Sequence, residues 1–276
     1  MPGTLTLVGT PIGNLSDFSP RAVEAMQACD FIAAEDTRVS LTLLNHFGIR
    51  KPLISYFEHN KRERGEVICR KLEDGENAVL VTDAGMPAVS DPGEDLVALC
   101  HERGIPVTVI PGPSAGIAAL AVSGLPTARF TFEGFLSANR RNRREQLDSL
   151  RAEQRTMIFY EAPHKLLTTL EDLLKTFGDR RVCLARELTK LHEEIVRTTL
   201  SEAIARYSET PPRGEFVLVV EGAAPMTEVP STPEDAVAIA RAYLAEGLSA
   251  SDAAKKAAAD TGVKKGDIYR LLMKGI

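Results

Sequence analysis

The chain has no tryptophan, and only 5% of its 276 residues are aromatic. No apolar run approaches the roughly 18 residues that cross a bilayer, so no membrane partner is expected. Cysteine is scarce. Cys29, Cys69, Cys100 and Cys183 are far apart and form no Cys-x-x-Cys, which excludes a disulfide framework and points to buried thiols in a reducing compartment. There is no His-Glu-x-x-His either; His192-Glu193-Glu194 has no second histidine at helical spacing, and no metal is expected. The start, Met1-Pro2-Gly3-Thr4, runs into a strand-like segment without the basic flank and apolar plug of a signal peptide, so a cytoplasmic location is expected. Positive charge is not in excess: 33 Lys+Arg against 38 Asp+Glu give a net charge of −5. That balance argues mildly against binding to phosphates, although the distribution of charge decides where a polyanion docks.

What is present is an ordinary globular composition, 44% hydrophobic and 26% charged, in a chain long enough for about two domains. Short apolar runs at 5–8, 31–34, 78–82 and 107–110 read as buried strands, and helical patterns at 19–28, 41–47, 61–73 and 94–102 alternate with them. This succession predicts an α/β fold with a mainly parallel sheet. In such a sheet, function collects on the loops beyond the carboxyl ends of the strands. Those loops, residues 9–14, 35–38, 83–93 and 111–116, are all rich in Gly, Pro and short polar residues. The second half, with strands at 130–133, 157–160, 182–185, 195–200 and 216–220, predicts a mixed sheet whose last three strands are joined without long helices. The expected divisions are a first α/β domain over 1–122, a second over 123–224, a linker at 225–232 and a helical extension over 233–276, with Gly247 and Gly262 as helix stops.

The loops carry the candidate chemistry. Gly9-Thr10-Pro11-Ile12-Gly13-Asn14 is neither a dinucleotide fingerprint nor a phosphate loop. Gly112-Pro113-Ser114-Ala115-Gly116 matches the Gly-x-Ser-x-Gly of a hydrolase nucleophile, with His164, His192, Asp172 and Asp179 downstream. Ser114 reads better as a helix N-cap whose hydroxyl satisfies a backbone N–H near a ligand. Glu35-Asp36-Thr37-Arg38 is either a polar cluster at the mouth of a cleft or an acid–Arg pair capping the next helix. Tyr56-Phe57-Glu58-His59-Asn60 offers a ring, an imidazole and an amide suited to a base, or else a buried aromatic with a cap at Asn60. Residues 82–93 contain two Asp, two Gly and two Pro, a stiff loop able to hold a polar small molecule by its backbone.

Two basic clusters stand out of the acidic total. Residues 137–155 contain Arg140, Arg141, Arg143, Arg144, Arg151 and Arg155 against three acids. Residues 254–276 contain six basic residues, Lys264 and Lys265 among them, against two acids, and the tail reads as helix, Gly turn, helix, weakly compatible with a helix-turn-helix. A segregated basic face for a polyanion follows.

Together, Val8-Gly9-Thr10-Pro11-Ile12-Gly13-Asn14, Ala34-Glu35-Asp36-Thr37-Arg38, Tyr56-Phe57-Glu58-His59-Asn60, residues 82–93, Pro111-Gly112-Pro113-Ser114-Ala115, Phe159-Tyr160-Glu161-Ala162-Pro163-His164 and Arg213-Gly214-Glu215-Phe216-Val217 closely resemble the bacterial small-subunit rRNA methyltransferase I family, a branch of the tetrapyrrole methylase (class III) superfamily. The resemblance spans about residues 3–223, and the tail is similar to the family's helical extension. It implies two α/β domains with S-adenosylmethionine in the cleft between them, usually in a homodimer, and 2′-O-methylation of a cytidine of 16S rRNA at the decoding site of the small ribosomal subunit. It also implies that Pro11, Asp83, Gly85, Ala88, Ser90, Ser114, Ala115, Ala162, Arg213, Gly214 and Glu215 line the cofactor.

The residues are compatible with such chemistry. Methyl transfer to a hydroxyl is a matter of positioning, helped by a general base. Glu35 or Asp36 is the expected base, with Arg38 orienting the acid or holding a phosphate. Asn14, Tyr56, His59 and Asn60 are expected at the target nucleotide, and Arg140, Arg141, Arg143, Arg144, Lys264 and Lys265 on the RNA. The competing readings are a class III methylase of a small, tetrapyrrole-like molecule, a Ser114 hydrolase, and a non-enzymatic RNA-binding protein on the same fold.

Overall fold

The computed structural model describes residues 1–224, 232–245 and 247–274. The chain divides into two compact units, Met1–Ala223 and Ala224–Ile276. The expected linker lies, apart from Thr232, outside the described residues.

The first unit has two lobes, each built on one five-stranded sheet. In the first lobe, strands β1 (Leu5–Val8), β2 (Phe31–Ala34), β3 (Leu53–Ser55), β4 (Ala78–Val81) and β5 (Val107–Ile110) alternate with helices α1 (Pro20–Ala28), α2 (Thr37–His46), α3 (Lys61–Glu73) and α4 (Glu94–Glu102). All strand pairs are parallel, in the order β3-β2-β4-β1-β5. β2 and β4 are buried throughout, as expected of strands covered on both faces. Ala22, Met26 and Leu44 of α1 and α2 pack with Ile32, Ala34 and Val79 on one face. Ile68, Leu72, Leu96 and Cys100 of α3 and α4 pack with Phe31, Ala33 and Leu80 on the other. The neighbours β1 and β4 therefore send their following helices to opposite faces, which opens a crevice at their carboxyl ends.

α2 begins four residues before the expected position, at Thr37, because Asp36 is its N-cap: Oδ1 accepts from the Arg38 amide at 2.8 Å. All four cysteines are buried free thiols, and the Cys69 and Cys100 sulfurs lie 3.9 Å apart.

The second lobe orders β6 (Phe130–Phe135), β7 (Thr156–Glu161), β10 (Phe216–Val220), β8 (Arg181–Arg186) and β9 (Glu194–Thr199). β6 is parallel to β7, and the other pairs are antiparallel, the mixed sheet that the sequence suggests. Helices α7 (Leu166–Phe177) and α8 (Leu200–Glu209) cover one face together with Leu147 of α6 (Arg140–Ser149). α8, ten residues long, stands between β9 and β10 where no long helix was expected; Thr199 caps it, so Leu200 opens a helix instead of closing a strand. The opposite face is covered by α5 (Ala115–Val122), through Ala119 and Leu120 against Ile158, Cys183 and Val219. Assigned by sequence to the first domain, α5 packs on the second sheet.

The described residues of the second unit form three helices, α9 (Pro233–Ala245), α10 (Ala250–Thr261) and α11 (Lys265–Lys274), around Ala236, Ala240, Ala254, Ala257, Ile268 and Leu272. Gly262 ends α10 in a left-handed conformation, φ 72°. No helix among the described residues is long and apolar enough to cross a membrane.

Candidate active site

The loops after β1, β4 and β5 are stitched together by backbone. Thr10 and Gly85 exchange a pair of N–H···O bonds of 2.9 and 3.1 Å, and the Thr10 hydroxyl donates to the Thr82 carbonyl at 3.1 Å. Gly9 and Gly112 touch through their backbones: a Cβ on Gly112 would stand 2.8 Å from the Gly9 Cα. Ala88 and Ser90 hold left-handed φ values of 66° and 64°, rare for residues with a Cβ and maintained only where the surroundings fix them. The 82–93 loop is thus conformationally constrained.

Against these loops the second lobe sets the end of β6, the Tyr160 to Pro163 turn, the loop after β8 and the start of β10, enclosing a cavity of about 510 Å³. Of the residues expected at the cofactor, Asp83, Gly85, Ser90, Ser114, Ala115, Ala162 and Glu215 line it, as does Glu35. Pro11, Ala88, Arg213 and Gly214 are not among the lining residues. Pro11 adjoins Ile12, which lines the cavity, and Ala88 packs on Gly93. The Arg213 carbonyl accepts from Arg186 at 3.4 Å. Gly214, φ 78°, leaves room for Glu187, whose Cγ would be 2.5 Å from a Cβ there.

Ser114 lines the cavity and stands at the N-cap position of α5, as the sequence suggested, but its hydroxyl does not cap the helix. The Gly116 amide of α5 instead donates to the Tyr160 hydroxyl of the second lobe at 3.0 Å. The Ser114 backbone is extended (φ −141°, ψ 112°), without the strain of a nucleophile elbow. No histidine is among the described lining residues, so the hydrolase constellation is not assembled.

Three carboxylates gather at the first-lobe wall. The Thr82 hydroxyl donates to Glu35 Oε2 at 2.5 Å, and Asp83 Oδ1 accepts the Asp36 amide at 3.1 Å. Burial, with the neighbouring Glu35 charge, pushes the Asp91 carboxyl up to about 6, and burial also raises Asp83. Asp36 and Arg38 lie outside the lining. Arg38 grips Asp36 with Nε and a terminal nitrogen at 3.0 and 2.6 Å, and its hydrogen bonds hold that carboxyl down at about 2. Of the expected catalytic trio, Glu35 alone faces the cavity.

Sequence reasoning missed Asp91, Phe135, Tyr160, Glu187 and Lys190, all of which line the cavity. Lys190 is the one basic side chain among the described lining residues; it bridges Glu187 and Glu215 at 3.0 Å each. The Glu215 amide, donating to Glu187 Oε1 at 3.0 Å, holds the Glu187 carboxyl below its ordinary range. Asp91 was visible inside the flagged 82–93 loop; nothing local marked Lys190.

The expected RNA contacts divide. Asn14, His59, Arg140, Arg141, Arg144, Lys264 and Lys265 are exposed. Tyr56 is corrected to a core residue, 1% exposed and packed with Phe31, Ile68 and Leu96, because the pleat that exposes Phe57 turns Tyr56 inward. Asn60 braces its loop, accepting from the Phe57 amide at 2.8 Å and donating to the Ser55 carbonyl at 3.2 Å. Arg143 is turned into its lobe, bonded to Asp172 at 2.7 Å and Thr169 at 2.8 Å, and is not available to a phosphate. Among the described residues, no group of three or more His, Cys, Asp or Glu is placed to hold a metal ion.

Comparison with known proteins gives consistent findings. Residues 4–204 match the family described as Tetrapyrrole (Corrin/Porphyrin) Methylases, and residues 230–275 match the RsmI C-terminal HTH domain. A Synechocystis protein named Ribosomal RNA small subunit methyltransferase I is 50% identical over 98% of this chain and 97% of its own length. A like-named protein of Escherichia coli O157:H7 is 46% identical over 97% and 94%. One from Thermotoga maritima is 48% identical over 80% of this chain and 99% of itself. Among solved structures, uroporphyrin-III C-methyl transferase from Thermus thermophilus complexed with S-adenyl homocysteine shares the fold (TM-score 0.55, 19% identity, 79% of this chain and 97% of that one). So does diphthine synthase (TM-score 0.60, 16% identity, 79% and 90%).

Proposed function

The chain belongs to the tetrapyrrole methylase family and, within it, to the family of ribosomal RNA small subunit methyltransferase I, and from that premise we propose that it transfers a methyl group from S-adenosylmethionine to 16S rRNA. The acceptor in this reading is the ribose 2′-oxygen of a cytidine at the decoding site, and the enzyme works in the cytoplasm as a homodimer. The observation that carries the reading is the cavity itself, about 510 Å³, walled by residues of the 82–93 loop on one side and by Ala162 and Glu215 on the other.

The lining fits the donor. Its acidic wall of Glu35, Asp83 and Asp91 suits a cationic sulfonium and ribose hydroxyls, and Gly85, Ser114, Ala115 and Ala162 leave close approach to backbone. When bound, S-adenosylmethionine supplies an electrophilic methyl carbon. The protein's own work is to align the ribose oxygen, exclude water and accept the hydroxyl proton. Asp91 is the carboxylate best matched to that last task, since burial and the Glu35 charge set its proton affinity near 6, within reach of neutral pH. Asp36, held at about 2 by Arg38, is a poor base and stands outside the cavity. Glu35 orders the Thr82 hydroxyl beside it.

RNA reaches this cavity along exposed arginines of α6, and the three-helix unit with Lys264 and Lys265 adds a second basic surface. Exposed Val109, Ile117, Phe130 and Phe132 offer apolar area for a second copy of the chain. The test is transfer of labelled methyl to small ribosomal subunits lacking the modification, with a porphyrinoid as control. Label at a cytidine 2′-oxygen supports the reading; label on the porphyrinoid alone refutes it.

A further inference from the structure

Phe135 is 58% exposed although it lines the cavity, and the reason lies in the register of its strand. Phe132 of β6 pairs with Ile158 of β7, but the next pairs are Gly134 with Phe159 and Phe135 with Tyr160. Glu133 is the extra residue of a β-bulge, and Gly134 takes φ 60° to close it. Without the bulge Phe135 would stand opposite Glu161, whose carboxylate is buried against Thr169 of α7. One residue of slip moves the ring to the opposite face of the sheet, the face of Tyr160 and of the cavity.

There Phe135 and Phe132 both meet the Tyr160 ring edge-on, with centroids 5.6 and 5.2 Å from it. Tyr160 is itself fixed by its hydrogen bond from Gly116. The Phe135 ring therefore rests against a fixed neighbour. From the first lobe, Val89, 52% exposed, lines the same cavity, and a Cβ on Gly134 would sit 3.1 Å from Ser90 Oγ. The two lobes so place an aromatic and an aliphatic group, both open to solvent, in the cavity that opens toward the acidic wall. Five residues after Phe135 begins α6, with Arg141 and Arg144 side chains 86% and 85% exposed.

We propose that Phe135 is the stacking platform for the RNA nucleobase whose ribose enters the cavity, with Val89 as the opposing wall and the α6 arginines on the flanking phosphates. The inference rests on the rRNA reading above. A flat π-surface beside basic side chains matches unstacked RNA, whose bases present a face and whose backbone carries the charge. The donor's adenine has the same flat chemistry, but the exposure of Phe135 suits a group that arrives from solvent.

The experiment compares Phe135→Ala, Phe135→Leu and Phe135→Tyr with the wild type. Transfer to small ribosomal subunits gives KM and kcat, calorimetry gives the Kd of S-adenosylhomocysteine, and anisotropy gives the affinity of a labelled cytidine-rich single strand without turnover. The expected result is a rise of about tenfold in KM and in single-strand Kd for both aliphatic variants, recovery to near wild type in Phe135→Tyr, and an unchanged Kd for S-adenosylhomocysteine. Matching loss of S-adenosylhomocysteine affinity assigns the ring to the donor and overturns the proposal, as does an unaltered KM with unaltered single-strand binding. If the wild type itself moves no methyl to the subunit, the functional reading fails; the anisotropy arm then still decides the stack by itself.

Discussion

Thr82 and Glu35, at the carboxyl ends of neighbouring strands β4 and β2, are joined by a 2.5 Å hydrogen bond from the threonine hydroxyl to the carboxylate. Burial and the Glu35 charge raise the Asp91 carboxyl to about 6, while the neighbouring Thr82 hydroxyl works in the opposite direction. A proton acceptor must be ionised to act. Methyl transfer by the wild type should therefore rise with pH through about 6 and level off above it. Asp91→Asn should lower kcat by roughly 10²- to 10⁴-fold and remove that limb, and Thr82→Val should move the limb to higher pH. Initial rates measured across the pH range check all three.

The same carboxyl carries a stability signature of opposite direction. Its proton affinity is higher in the folded chain, about 6, than its ordinary value of 3.8, so the folded state binds more protons between those values. The resulting stabilisation is complete at low pH and is lost as pH rises through about 6. Asp91→Asn should melt above the wild type at about pH 7.5, and the gap should close only below the ordinary value of 3.8, at about pH 3. A variant that gains stability while losing turnover has lost a functional group, not a structural one. Thermal melts at both pH values read this directly.

Gly112 and Gly9 meet backbone to backbone, with the Cα of Gly9 2.8 Å from where a Gly112 Cβ would be. Gly112→Ala must separate the ends of β1 and β5. A loss of about 1–3 kcal/mol is expected from such overpacking, together with weaker S-adenosylhomocysteine binding, because the loop after β1 is bonded to Gly85. Denaturant unfolding and calorimetry measure the two effects.

Much of this architecture was legible in the sequence. The limits of α3 and α4 come from uninterrupted helical periodicity, and β1, β2 and β5 from short apolar runs closed by Gly, Pro or charge. The 82–93 loop declared itself by composition. What stayed hidden depends on contacts between distant segments. Tyr56 and Phe57 are adjacent aromatics, and only packing against α3 and α4 decides which is buried. Arg143 sits among arginines of equal helical exposure until Asp172 of α7 claims it. Tyr160, not Ser114, receives an α5 amide because α5 packs across the second sheet. The Phe135 bulge is a matter of strand register, which hydrophobic alternation does not encode when aromatics fall at 130, 132 and 135.

The three-helix unit has its own core of alanines, Ile268 and Leu272. The like-named Thermotoga maritima protein is matched over 99% of its length by 80% of this chain, so that relative does without about a fifth of it. Removing residues 225–276 should leave the Kd of S-adenosylhomocysteine unchanged and weaken binding to small ribosomal subunits, with a shallower salt dependence as phosphate contacts are lost. Equal loss of both affinities contradicts a separable RNA-binding unit. Calorimetry and filter binding at several salt concentrations make the comparison.

The most direct test of the whole account is a crystal structure of this protein with S-adenosylhomocysteine. The account predicts ligand density between the 83–91 loop and Ala162 with Glu215, with the sulfur beside the acidic wall of Glu35 and Asp91. Density elsewhere on the chain, or none at saturating ligand, contradicts it.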